Sequence, residues 1–75
     1  MTTSLAKEEK INLINSHKRN LEYRKYSLEL DLLVENAKAT PDSNAISSYT
    51  TSIDEVDNQV KALDAELVKV NALTE

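Results

Sequence analysis

Eight apolar residues in the second half of this chain, Ile46, Tyr49, Ile53, Val56, Val60, Leu63, Leu67 and Val70, recur at alternating intervals of three and four. A helix turns once every 3.6 residues, so this spacing draws one continuous stripe along a helix and gives no strand its alternation. Sustained over so many positions, it is the seam of a coiled coil. The polar positions agree, with Asp57, Asp64 and Asn71 seven apart on one flank and Ser52, Gln59 and Glu66 on the other. A seam of this length requires a second helix to lie against it.

The chain supplies one. With 75 residues it has room for a single domain, since domains usually take about 100 to 200 residues. One break is visible, at Ala39-Thr40-Pro41-Asp42-Ser43-Asn44. Pro41 cannot continue a helix from its N-terminal side but fits the first turn of a new one, and Thr40 or Asp42 can cap exposed N–H groups. The expected fold is therefore all-α, an antiparallel two-helix hairpin of coiled-coil type. Its first helix should cover about 5–38, starting at Ser4 or Leu5 with Glu8 and Glu9 at the positive end of the dipole. The turn is expected at about 39–43, and the second helix at about 43–73, starting at Pro41 or Ser43. Each arm should be roughly 45 to 50 Å long, making a rod.

The first arm carries two apolar stripes. One contains Ile11, Ile14, Leu21, Leu28 and Leu32, with Lys18 and Lys25 in the gaps. The other contains Tyr23, Tyr26, Leu30, Leu33, Val34 and Ala37, displaced by roughly 160° around the helix at 100° per residue. Opposed residues of an antiparallel hairpin have position numbers with a constant sum. The first stripe pairs Ile11 with Val70, Ile14 with Leu67, Leu21 with Val60, Leu28 with Ile53 and Leu32 with Tyr49, each summing to 81. Half of that falls between Thr40 and Pro41, where the turn was placed on other grounds. The same register brings Lys18 to Asp64 and Lys25 to Asp57, with the lysine stems over Leu63 and Val56.

The second stripe can also be set against the second arm near the turn. Its continuation would then put Arg19, Ser16, Asn12 and Glu9 against Leu63, Leu67 and Val70, burying polar groups without partners. The seam is therefore assigned to Ile11, Ile14, Leu21, Leu28 and Leu32 with Tyr49, Ile53, Val56, Val60, Leu63, Leu67 and Val70. Tyr23, Tyr26, Leu30, Leu33, Val34 and Ala37 become the expected partner-binding face, because exposed apolar strips mark interaction sites. Either another copy of the hairpin, giving a four-helix bundle, or a groove on a larger protein would cover it. The competing expectation is that this second stripe only broadens the core contact near the turn.

Catalytic chemistry finds little material. The chain has no Gly, Cys, Trp or Phe, which removes glycine-rich phosphate loops, disulfides and zinc-thiolate sites. His17 has Leu13, Ile14, Asn20 and Leu21 as its helical neighbours, none of them a metal ligand or a proton-transfer partner. Asp54, Glu55 and Asp57 point to different sides of a helix and read as a solvated face, with Asp57 able to meet Lys61. The net charge of −4 and the scatter of His17, Lys18, Arg19, Arg24 and Lys25 around the helix argue against a nucleic-acid or anionic-membrane surface. No enzyme activity, cofactor, metal or small-molecule substrate is expected.

Charge is uneven along the chain. Residues 1–39 carry five Lys, two Arg and six acids, whereas residues 40–75 carry two Lys and seven acids, so the arms attract each other. The longest apolar run, Leu32-Leu33-Val34, falls far short of the ~20 residues of a membrane span, and Met1–Lys7 lacks the apolar segment of a signal peptide. The expected setting is the cytoplasm, or a particle assembled inside a cell. The expected role is that of a non-enzymatic structural or assembly subunit acting through helix packing, a minor virion protein being one example of the type. The alternative is a small regulatory adaptor or inhibitor that docks its apolar face on one target protein.

Overall fold

In the computed structural model, which describes residues 5–73, the chain is an antiparallel hairpin of two helices, α1 (Lys7–Asn36) and α2 (Ser43–Asn71). Among the described residues there is no strand. The hairpin measures 57 × 18 × 14 Å with a radius of gyration of 17.0 Å, against about 11 Å for a compact chain of this length. It is a rod whose only interior is the line where the helices meet.

The first helix starts two residues later than expected and the second starts at Ser43, one of its two expected starts; each ends two residues early. Ser4 lies outside the described residues, and Leu5 precedes the helix. Ala6 is the N-cap of α1, and its N–H donates to Glu9 Oε1 at 3.3 Å. That is half of a capping box, because alanine has no side-chain oxygen with which to return the bond. At the far end, α1 closes at Asn36 with Ala37 as its cap. Proline biases the residue before it away from helical geometry, and Lys38–Thr40 form a bend ahead of Pro41. Pro41 stays outside α2. The N-cap is Asp42, whose Oδ1 accepts the Asn44 N–H at 2.9 Å while its carbonyl accepts the Ile46 N–H at 3.0 Å. No described residue has positive φ, so the reversal is made without the left-handed residue that glycine would favour.

The two ends of the rod are tied differently. At the open end, Lys7 Nζ donates to the carbonyls of Asn71 and Leu73 at 2.9 and 3.1 Å, placing a cation on the negative C-terminus of α2. At the turn, Glu35 reaches across to the start of α2. Its Oε2 accepts the Asp42 N–H at 3.0 Å, and its Oε1 accepts from Lys38 Nζ at 3.0 Å. Glu35 is only 5% exposed. A carboxylate in the last turn of α1 sits at the unfavourable end of that helix's dipole, but here it serves the positive end of α2 and a lysine. The Asp42 N–H, followed by Lys38, holds its carboxyl below the ordinary value of 4.5.

Candidate functional site

The seam runs along one face of α1. Ile14, Val56 and Val70 are buried, with Val56 1% exposed. Ile11, Leu21, Leu28, Leu32, Ile46, Tyr49, Ile53, Val60, Leu63 and Leu67 are half-buried. One-sided cover is the geometric reason, because two cylinders enclose only the side chains on the line between them. Lys18 and Lys25 occupy their positions in the α1 stripe with half-buried side chains. Lys18 Nζ meets Asp64 Oδ1, and Lys25 Nζ meets Asp57 Oδ1 at 2.8 Å. Asp57 raises the Lys25 ammonium above its ordinary 10.5. The partner found for Asp57 is thus across the hairpin, whereas the within-helix neighbour considered from sequence was Lys61. Solvent-exposed ion pairs add little net stability; these two fix the register.

The stripe on the opposite side of α1 faces solvent. Tyr23, Tyr26, Leu33 and Val34 are each about two-thirds exposed, at 64%, 63%, 65% and 63%, and Leu30 is 42% exposed. Ala37, the cap residue, is exposed as well. None of these six contributes to the buried core. The strip ends abruptly towards the open end, where Arg19, Ser16, Asn12 and Glu9 continue the same line and are also exposed. At that border the Arg19 guanidinium lies 4.9 Å from the Tyr23 ring centroid and pairs with Glu22 at 3.3 Å, holding both side chains against the helix.

The outer face of α2 has a different character. Ser47, Thr51, Asp54 and Asn58 are exposed there, followed by Ala65. Further exposed apolar residues, Leu13 at 50%, Val68 at 70% and Leu73 at 40%, lie near the open end and form no strip. Leu13 and Leu73, together with Leu5, Lys10, Lys69 and Val70, border a shallow trough of about 430 Å³. His17 borders a second trough with Asn20, Arg24 and Gln59 and has no acidic neighbour in it. Among the described residues, no group of three His, Cys, Asp or Glu is placed to hold a metal ion, and no helix is long and apolar enough to cross a membrane.

Sequence reasoning missed Glu35. The seam's three-and-four spacing, continued beyond Leu32, lands on it, opposite Ile46 in the 81 register. The stripe was traced through apolar residues, and a carboxylate broke the trace. The usable signal was an acid at a seam position in the last turn of the first helix, seven residues before the N-cap of the second.

Comparison with known proteins returns no matching family model and no significant match among curated proteins or solved structures.

Proposed function

We propose that this hairpin is a non-enzymatic structural or assembly subunit that works by packing the outer face of α1 against another protein surface. The observation that carries this reading is the uncharged strip from Tyr23 to Ala37, whose large side chains are 42–65% exposed and which neither helix among the described residues covers. A strip of two tyrosines, two leucines and a valine in water is the usual mark of an interaction surface. The rod shape supports the same reading, because a thin seam gains most from lateral neighbours. Virion or other particle assembly is one setting for such a subunit.

The test is incorporation. The chain is tagged, expressed in its natural setting and isolated under native conditions, alongside Leu30→Asp. A structural subunit co-sediments with a large assembly at a fixed multi-copy ratio, and Leu30→Asp drops out of it. A reversible one-to-one complex with a single target would contradict this reading and favour the regulatory adaptor.

A further inference from the structure

We infer that one flank of the seam is a docking groove for a third helix, an acidic amphipathic one supplied by another protein. This surface is separate from the outer strip of α1, and the inference needs no part of that strip.

The two flanks of the seam differ. On one, Lys18 and Lys25 reach across to Asp64 and Asp57 and bridge the helices. The other carries the trough of about 430 Å³ near the open end and, in line with it, the trough of about 510 Å³ beside His17. Lys10, His17 and Arg24 fall seven apart on α1, and Gln59, Glu66 and Leu73 fall seven apart on α2, so all six border the same side. Seam residues form the floors: Ile14 and Val70 in the first trough, Leu21 and Leu63 in the second.

Charge then selects the partner. The rims of the troughs carry three cations, Lys10, Arg24 and Lys69, against one acid, Glu66, on a chain whose net charge is −4. Among the described residues none of the three cations forms an ion pair. An apolar floor between unpaired cations complements a helix whose apolar face is flanked by carboxylates. Spacing supports the same partner. From Lys10 to Arg24 the groove rises about 21 Å, so a small amphiphilic anion would meet the cations at one end only. A partner helix can place a carboxylate at each end, about fourteen residues apart, with an uncharged or basic residue midway, opposite Glu66. A nucleic acid would bring phosphates to the rims but no apolar face to the floors.

The probe is a synthetic amphipathic helix of about 21 residues with leucines at seam spacing and glutamates about fourteen residues apart; its twin carries lysines in place of the glutamates. Each is titrated into the full-length protein at low salt and followed by two-dimensional NMR. The acidic peptide should shift the amides of Leu13, His17 and Ala62 and bind about tenfold more tightly than the basic twin. The double variant Lys10→Glu with Arg24→Glu should invert that preference, and Glu66→Gln should tighten the acidic peptide about twofold. The peptide pair and Glu66→Gln decide the matter even where the double reversal costs helicity. Equal affinity for the two peptides, a helical double variant that keeps the wild-type preference, or shifts confined to Tyr23–Ala37 would overturn the groove. Tighter binding of a short DNA duplex than of the acidic peptide would overturn the helical partner.

Discussion

The two helices are nearly equal in length, at 30 and 29 residues, yet only one has finished its burial. In α2 the large apolar side chains gather on a single face, and α1 covers that face; Val68 is the exposed exception. In α1 they fall on two nearly opposite faces, and α2 can reach only one. The difference shows which face of the hairpin still has large apolar side chains to cover. A helix with one apolar face is satisfied by its hairpin partner, whereas a helix with two still has one to cover.

The comparison breaks most severely at the seam. Val56→Asp places an unpaired carboxylate in the most buried position of the hairpin, at a cost above about 3 kcal/mol, and the expected outcome is loss of the helical circular dichroism signal. On the other face, Leu30→Asp should retain that signal and weaken association at least tenfold, which corresponds to about 1.4 kcal/mol, as read by sedimentation. If Leu30→Asp unfolds the chain, the outer strip is part of the core and the two faces of α1 do not differ.

Smaller effects sharpen the contrast at the turn. Asp42→Ala removes the cap of α2 and should lower stability by about 1 kcal/mol in urea unfolding, with no effect on the outer strip. Glu35 gives a pH signature. Its carboxyl is held below the ordinary value of 4.5, so the bonded carboxylate adds stability that is complete above that value and lost as pH falls through the lower folded one. Thermal midpoints should therefore fall on acidification below about pH 4.5. Glu35→Gln should lie below wild type at neutral pH, and the gap should close in acid. Least of all, Thr51→Lys on the outer face of α2 should change stability by under about 0.5 kcal/mol and leave association unchanged.

The fold was legible because two periodic stripes and one proline leave few alternatives for a Gly-free chain. The ion pairs Lys18–Asp64 and Lys25–Asp57 follow from a register whose midpoint coincides with the turn. The outer strip is also legible, since helical phase alone sets Tyr26 and Leu33 far from Leu21 and Leu28. Glu35 was not. Its role depends on where the Asp42 N–H arrives after the reversal, and no periodicity encodes the path of a six-residue connection. Helix ends were blurred for a similar reason: Ala6 is a weak N-cap type, and of the two starts open for α2, Ser43 rather than Pro41 is taken because the Asp42 carboxylate caps it by accepting the Asn44 N–H.

The most direct test of separable faces on α1 compares Leu21→Asp with Leu30→Asp by circular dichroism and sedimentation equilibrium on the same samples. Leu21→Asp should lose helicity, whereas Leu30→Asp should keep it and lose the association that the outer strip is proposed to carry. Equal loss of helicity in both variants would contradict the account, since it would mean that the two stripes form one core.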